Sequence, residues 1–212
     1  KAVACKILNE EATKGKDALA RYGREIRIAH KLNHPGIVRM YSWGEQGKLL
    51  FIIMEYVQGG TLSDLITPGG LPLKQARELM GQLATALLHA HEHDIVHRDI
   101  KPSNMLLRAD DRVVLTDFGV ACEPGHVAPS AAAEGTLKYM APEQRAAAPA
   151  DLPMDVHAFG VAAREILEHV STERPEVLDE LVGACLRVDP KRRPDARWLV
   201  ETLSPLAGPL PA

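Results

Sequence analysis

Four polar side chains that could take part in a chemical reaction lie close together in one stretch, IVHRDIKPSNMLLRADDRVVLTDFG at 95–119. Asn104 and Asp117 carry the hard oxygen ligands that Mg²⁺ prefers, and each stands beside a short apolar run. Asp99 could accept a proton from a hydroxyl that attacks phosphorus, while Lys101 screens the charge on the transferred group. The stretch therefore predicts a site for metal-assisted phosphoryl transfer.

The overall composition is that of an ordinary globular protein. The chain has 212 residues, of which 46% are hydrophobic and 25% charged, and this length is enough to bury a sizeable core. The net charge of -3, with acids and bases interspersed, gives no basic field that would attract nucleic acid or an anionic membrane. No apolar run approaches the roughly 20 residues of a membrane helix. Three cysteines without CxxC spacing, Cys5, Cys122 and Cys185, indicate a reducing compartment, and we expect the cytoplasm.

The elements that must position the polar stretch begin with strands and one helix. Loose alternation over 1–8 predicts a strand, and apolar residues at helical spacing predict a helix over 17–32. The segments 34–41 and 48–57 bring β-branched and aromatic residues together and predict two further strands. The turn signals that bound these strands are Pro35, Gly36, Gly44 and Gly47.

After Gly59 and Gly60, which we expect to form a hinge, the pattern becomes mainly helical. A short helix is predicted near Thr61, and a long one begins near Pro72, a residue suited to the first turn. Two short strands are predicted at 105–107 and 112–116, and the Ala-, Pro- and Gly-rich segment 120–151 is predicted to be irregular and functional. The remaining predicted helices lie at 154–170, 175–187 and 195–203.

Six motifs occur in the order that protein kinases have them. They are VACK at 3–6, GREI at 23–26, LNHPGIV at 32–38, HRDIKPSN at 97–104, DFG at 117–119 and APE at 141–143. From Lys6 to Pro194 the chain resembles a eukaryotic-like serine/threonine protein kinase domain of the protein kinase superfamily. The resemblance implies an α+β, bilobal kinase-like fold. A truncated antiparallel sheet lobe with one helix would span 1–57, and a larger helical lobe with the catalytic loop and activation segment would span 58–212.

The resemblance also implies catalytic roles in transfer of the ATP γ-phosphate to protein serine or threonine hydroxyls. Lys6 would contact the α and β phosphates, and Glu25 would form the ion pair that holds Lys6. Asp99 would be the catalytic base. Lys101 would meet the γ phosphate, as in serine/threonine rather than tyrosine kinases.

A nucleotide and metal site is implied in the same way. Asn104 and Asp117 would carry Mg²⁺. Met54 matches the residue behind adenine, so the backbone of the segment after it would pair with the adenine edge. The adenine-binding residues implied are Ala4, Met54, Glu55, Val57 and Leu106.

Further residues would regulate or support the site. Arg98 resembles the residue that pairs with a phosphate on the activation segment 117–143, for which Ser130 is a candidate. Thr136 resembles the substrate-facing threonine near Asp99. Structural roles are implied for the spine residues His97 and Phe118, the ion pair Glu143–Arg193 and the catalytic-loop anchor Asp155.

The sequence also departs from the family pattern. It opens on KAVACKIL without Met, in what reads as the middle of a strand, and contains no GxGxxG, so we expect that the first residue is not the natural beginning. The connection after the helix at 154–170 is short, and Ala29 fills a spine position with a small side chain, where a void could cost about 1 to 3 kcal/mol. The alternative function is therefore a degenerate kinase-like module that binds or scaffolds.

Other interpretations of single residues are weaker. Lys6 and Glu25 could be exposed residues, and Asp99, Asn104 and Asp117 could be turn formers. A redox role for a cysteine and a nucleic acid patch at 192–193 have no further support. The histidines at 89, 91, 93 and 97 could suggest zinc, but no cysteine or carboxylate completes a tetrahedral set.

Overall fold

A three-stranded sheet with one helix precedes a mainly helical remainder in the computed structural model, which confirms the predicted α+β class. The structure describes residues 2–8, 16–47, 49–66, 70–127 and 136–207. The helices and strands in chain order are β1 (Val3–Leu8), α1 (Lys16–Lys31), β2 (Met40–Gln46), β3 (Leu49–Glu55), α2 (Leu62–Leu65), α3 (Leu73–Glu92), β4 (Met105–Leu107), β5 (Val113–Leu115), α4 (Pro142–Arg145), α5 (Pro153–Glu168), α6 (Glu176–Cys185) and α7 (Ala196–Ala207).

The sheet is antiparallel, with β3 between β1 and β2. Because side chains alternate along a strand, Leu50 and Ile52 of β3 share one face, and both pack against Tyr22 and Ile26 of α1. The Tyr22 hydroxyl also donates to the backbone oxygens of Gly44 at 3.1 Å and Phe51 at 3.0 Å. One small apolar cluster and one tyrosine thus fasten α1 to the sheet.

The predicted strand at 34–41 was displaced, since β2 runs over Met40–Gln46. Gly44, a predicted turn signal, lies inside β2, where the ring of Phe51 covers it. A Cβ at Gly44 would lie 2.6 Å from Cζ of Phe51, so a larger residue would require that ring to move. The turn is made at Gly47, whose φ is +63°.

Instead of a strand, the loop between α1 and β2 makes a backbone link to β5. The N–H of Val38 donates to the oxygen of Leu115 at 2.9 Å, and the N–H of Leu115 donates to the oxygen of Gly36 at 2.8 Å. These hydrogen bonds tie the loop after α1 to the short sheet formed by β4 and β5.

The helices after residue 60 follow the predicted boundaries within a few residues. Thr61 caps α2, since its hydroxyl accepts from the Asp64 N–H while the Asp64 carboxylate accepts from the Thr61 N–H. Helix α3 packs against α5 and α7, and α5 packs against α6. The predicted inward residues of α5, all of them buried, are Val156, Phe159, Ala163, Ile166 and Leu167.

Within the described ranges, no helix combines the length and the apolar composition needed to span a membrane. The segment 120–151 is irregular where it is described, except for α4 and neighbouring turns. The division into lobes at residues 57 and 58 stays a prediction.

Candidate active site

Lys6 joins three elements at the open side of the sheet. Its ammonium lies 2.7 Å from Oε1 of Glu25, on α1, and 2.8 Å from Oδ1 of Asp117, which follows β5. Partial burial favours a neutral amine, but the two carboxylates outweigh burial and raise the pKa of Lys6. Burial likewise favours a neutral Asp117, yet Lys6 outweighs it and lowers the pKa of Asp117. Lys6 and Asp117 are therefore both charged at neutral pH.

A second cluster surrounds Asp99. Its Oδ2 accepts from Nζ of Lys101 at 2.9 Å and from Nδ2 of Asn104 at 2.8 Å. Its Oδ1 is buried and has no hydrogen-bond partner among the described residues. The Lys101 ammonium also donates to the hydroxyl of Thr136 at 2.8 Å, so the predicted substrate-facing threonine lies beside this cluster.

A buried carboxylate on α5 holds the loop that carries Asp99. Asp155 is fully buried, and its two oxygens accept from the backbone N–H groups of His97 and Arg98 at 2.7 Å each. His91 adds a contact of 3.1 Å from Nε2. Arg98 has a φ of +68°, which costs a non-glycine residue roughly 1–2 kcal/mol. The hydrogen bonds to Asp155 offset this cost and fix the loop.

His97 connects the Asp99 loop to the segment of Asp117. Its Nε2 lies 3.1 Å from the backbone oxygen of Thr116, and its ring meets Phe118 edge-on with centroids 4.6 Å apart. The φ of Asp117 is +64°. The packing of His97 against Phe118 therefore helps to fix the backbone of Asp117, which lies two residues after the end of β5.

The three residues of the Lys6 cluster line a cavity of about 360 Å³, and Asn104 of the second cluster lines it too, whereas Asp99 and Lys101 are not in its wall. Ala29 is also in its wall, at the place where the sequence predicted a void. The predicted site residues that line the cavity are Ala4, Lys6, Glu25, Met54, Asn104 and Asp117. Sequence analysis missed the apolar wall residues Val38, Met40 and Ile52. The pairing of Ile52 with Lys6 in the sheet register could have revealed Ile52 had the strand pairing been known.

The other predicted adenine-binding residues are not part of this cavity wall in the described structure. Leu106 pairs with Val114 in the short sheet and bridges to Thr61. Glu55 and Val57 follow Met54 on the segment that leaves β3. Among the described residues, the backbone N–H and C=O of Val57 have no hydrogen-bond partner.

Residues 136–143 are held against α5 and the loop before α7. Arg193 has a fully buried side chain and forms an ion pair with Glu143, with Nη2 and Oε2 2.9 Å apart, so it does not belong to a surface patch. Sequence analysis missed Glu165, whose Oε2 accepts from the Tyr139 hydroxyl at 2.6 Å and from the Lys138 ammonium at 3.0 Å. A lone glutamate within a helix gives no sequence signal for such a contact.

One remaining prediction concerns a phosphorylation site, and one of the weaker interpretations concerned zinc. Ser130 lies outside the described residues. Within the described ranges, no group of three or more His, Cys, Asp and Glu side chains is placed to hold a metal ion. His89 instead stacks between His34 and His93, with ring centroids 5.1 Å and 4.4 Å apart.

Comparison with known proteins agrees with this geometry. A family model described as the protein kinase domain matches residues 1–174. The chain is similar to serine/threonine-protein kinase PknB of Mycobacterium leprae, at 37% identity over 89% of this chain and 32% of the relative. It is also similar to serine/threonine-protein kinase PrkC of Bacillus subtilis, at 38% identity over 78% of this chain and 26% of the relative. The chain thus spans about a third or less of these relatives. It belongs to the protein kinase domain family.

Proposed function

We propose that this chain transfers the γ-phosphate of ATP to serine or threonine hydroxyls of protein substrates. The observation that carries the proposal is that Asn104 connects the cavity lined by Lys6 and Asp117 to the charged cluster of Asp99. Lys6 and Asp117 line that cavity together with Asn104, and Asn104 donates to Asp99 in the second cluster. Phosphoryl transfer needs phosphate-binding, metal-binding and proton-accepting groups at one point.

Lys6 binds the α and β phosphates in this proposal, and Glu25 keeps the Lys6 ammonium in place. The ammonium lies between two carboxylates, so it has a fixed position before the nucleotide arrives. Such preorganised charge does not have to be rearranged during the reaction.

Adenine lies against Ala4 and Met54, with Leu106 on its other face, and its edge pairs with the backbone of Glu55 and Val57. The unpartnered N–H and C=O of Val57 support this assignment. A backbone amide with both groups free can satisfy a donor and an acceptor of a planar base.

Asn104 and Asp117 fit Mg²⁺. The Asn104 amide nitrogen donates to Asp99, which turns the amide oxygen away from Asp99, and only one oxygen of Asp117 binds Lys6. Both residues therefore keep oxygen atoms for a hard cation. When bound, Mg²⁺ neutralises charge on the β and γ phosphates.

Asp99 accepts the proton of the substrate hydroxyl. The hydroxyl oxygen forms a bond to the γ phosphorus, the bond from that phosphorus to the bridging oxygen of ADP breaks, and the proton moves to Oδ1 of Asp99. This oxygen has no hydrogen-bond partner among the described residues, so its lone pairs are free to accept the proton. Lys101 lies 2.9 Å from the other oxygen and screens charge on the transferred group.

Incubation with Mg²⁺ and labelled ATP tests the proposal. Wild type is expected to label a protein substrate or itself, and Asp99→Asn to lower the rate by about 10²- to 10⁴-fold. Asp94→Asn is a matched control, because Asp94 is exposed and has a φ of +55° that asparagine tolerates. Equal labelling by Asp99→Asn and wild type would exclude this mechanism. Absence of labelling by wild type would favour the alternative, a binding or scaffolding module.

Phosphate on Ser130 is proposed to raise activity through Arg98. The guanidinium of Arg98 makes only long contacts, 3.4 Å to the Val120 oxygen and 4.0 Å to the Cys122 sulfur. A cavity of about 260 Å³ nearby is lined by Arg24, Arg27, Lys31 and His126 together with Glu123, and positive charge of this kind attracts phosphate. Ser130→Ala is expected to lower activity severalfold in a steady-state assay. Unchanged activity with phosphate present on wild-type Ser130 would refute this role.

The cytoplasm is the proposed location. Cys5, Cys122 and Cys185 are all free thiols, which suits a reducing compartment. The proposed partners are protein substrates that offer serine or threonine hydroxyls, and the net charge of -3 gives no reason to include nucleic acid.

A further inference from the structure

The segment from Glu55 to Gly60, here called the linker, joins β3 to α2 and is fixed by backbone hydrogen bonds at both ends. The Glu55 N–H donates to the Arg39 oxygen at 2.8 Å. At the other end the Gly59 N–H donates to the Leu107 oxygen at 2.8 Å, and the Leu107 N–H donates to the Gly60 oxygen at 3.0 Å. Gly59 has no space for a side chain, because a Cβ would lie 2.3 Å from the Leu107 oxygen. These bonds leave a short middle portion around Val57 between two anchors.

A side-chain pair adds a third anchor to the linker. Both terminal nitrogens of Arg108 donate to the carboxylate of Glu55, Nη1 to Oε1 and Nη2 to Oε2, the latter at 3.0 Å. Nη2 also approaches the backbone oxygen of Pro35 at 3.5 Å. Arg108 thus contacts the linker and the loop between α1 and β2 from its position directly after β4.

The Glu55–Arg108 pair is shielded more than a neighbouring pair in the same turn. The side chains of Arg108 and Glu55 are 25% and 19% exposed, whereas those of Arg112 and Asp110 are both 54% exposed. A partly buried guanidinium with two parallel hydrogen bonds fixes orientation as well as position, while an exposed pair contributes little. A lysine would preserve the charge at residue 108 but not the twofold geometry.

We infer that Arg108 is a positioning residue for nucleotide binding, which holds the Glu55 side chain and so orients the linker backbone toward the adenine edge. The inference depends on the proposed function, because only that function gives the linker a nucleotide to meet. A linker held in its binding orientation before the ligand arrives loses less conformational entropy on binding. Loss of Arg108 should therefore weaken nucleotide binding more than it slows phosphoryl transfer.

Steady-state kinetics and ADP titration with the purified chain test the inference. Arg108→Met is expected to raise the KM for ATP and the Kd for ADP by about threefold to tenfold, with a smaller change in kcat. Arg108→Lys should recover part of the loss. Arg112→Met is the matched control, because it removes the exposed pair from the same turn, and its ATP and ADP constants should stay within about twofold of wild type.

A double-mutant cycle with Glu55→Gln separates positioning from a general structural effect. Glu55→Gln should raise the same two constants, and the double variant should add little, because both changes remove one interaction. Equal nucleotide constants for Arg108→Met and Arg112→Met in an active enzyme would overturn the inference alone. A change only in unfolding temperature would do the same. A wild-type chain that neither binds ADP nor transfers phosphate would overturn the proposed function, and the inference with it.

Discussion

The sheet part and the helical part of this chain are stabilised differently. In the described sheet, four buried side chains form the apolar cluster, Tyr22, Ile26, Leu50 and Ile52. The helical part instead has a continuous buried cluster drawn from α3, α5, α6 and α7. Because burial of apolar surface is the main stabilising contribution, we expect the helical part to be the more stable of the two. Asp99 lies in the helical part, and Lys6 lies in the sheet part.

The two parts are joined by charged pairs, by the backbone link between Val38 and Leu115, and by apolar packing. Ile28, Leu32 and Ile37 belong to the buried cluster of the helical part. Lys6–Asp117, Lys31–Glu123 and Glu55–Arg108 are the pairs that connect them. Such pairs can exchange partners with little loss, whereas a packed core has few alternative arrangements. The comparison predicts that a change in the packed helical part costs more stability than a change at Lys6, whose ammonium is held by the carboxylates of Glu25 and Asp117.

The largest effect is expected from a change in the buried core of the helical part. Asp155→Ala removes the acceptor of the His97 and Arg98 N–H groups. Each unsatisfied buried donor costs about 1–3 kcal/mol, so the free energy of unfolding should fall by about 3 kcal/mol and phosphoryl transfer should collapse. Denaturant unfolding measures the loss. Asp155→Asn, which keeps one acceptor oxygen, should lose less; a loss below about 1 kcal/mol for Asp155→Ala would contradict the assigned anchoring role.

A smaller effect on stability is expected from a change at Lys6, in the sheet part. Lys6→Met should lower kcat/KM by about 10²-fold or more. The free energy of unfolding should change by only about 1 kcal/mol, because the Lys6 side chain is 32% exposed. Steady-state kinetics and denaturant unfolding of the same preparation separate the two effects.

Lys74→Met is the control for Lys6. It breaks the exposed Lys74–Glu78 pair at 3.8 Å on α3 and leaves the cavity unchanged, so kcat/KM should stay near wild type. If Lys6→Met destabilised the chain as strongly as Asp155→Ala, the distinction between the two parts would be lost.

The smallest effect is the pH dependence of stability that we expect from the stacked histidines His34, His89 and His93. Burial, and then the neighbouring imidazole, lower the pKa of His34 and of His89, while Glu92 partly opposes the shift at His89. The unfolded chain therefore takes up protons first, near pH 6.5, and stability should fall as the pH drops below about 6.5 toward the lowered folded pKa values. Unfolding temperatures at pH 7.5 and about 5.5 measure the loss.

His89→Phe should reduce this pH dependence, because it keeps an aromatic ring against His34 and removes a proton-binding group. His30→Gln changes an exposed histidine on α1 and should leave the dependence as in wild type. An identical acid response in wild type and His89→Phe would show that the stack does not sense pH.

Sequence alone predicted the elements with strong periodicity and the motif residues. The predicted positions of α3 and α5 hold because their apolar residues recur on one face, and Lys6, Glu25 and Asp117 meet as the motifs implied. The predicted end of β2 was wrong because Gly44 is a strand residue covered by the ring of Phe51 and not a turn residue. A cross-strand contact depends on register, which no local pattern contains.

The sequence patterns also did not predict pairs between residues that are far apart in the chain. Arg108 follows β4 and belongs to none of the sequence motifs. Its partner Glu55 lies 53 residues earlier in the chain. Glu165 meets Tyr139 from a helix whose apolar pattern says nothing about its polar face. Both contacts arise from tertiary packing, and each requires the fold before it can be recognised.

The link between the α1–β2 loop and β5 gives α1 a fulcrum. Because Gly36 and Val38 are bonded to Leu115, we expect the final turn of α1 to stay with the helical part if the sheet tilts. Displacement would then grow with distance from that loop, and Glu25 lies six residues, less than two turns, before the end of α1 at Lys31. We therefore expect such a tilt to lengthen or shorten the distance between Glu25 and Lys6, which is 2.7 Å in the structure.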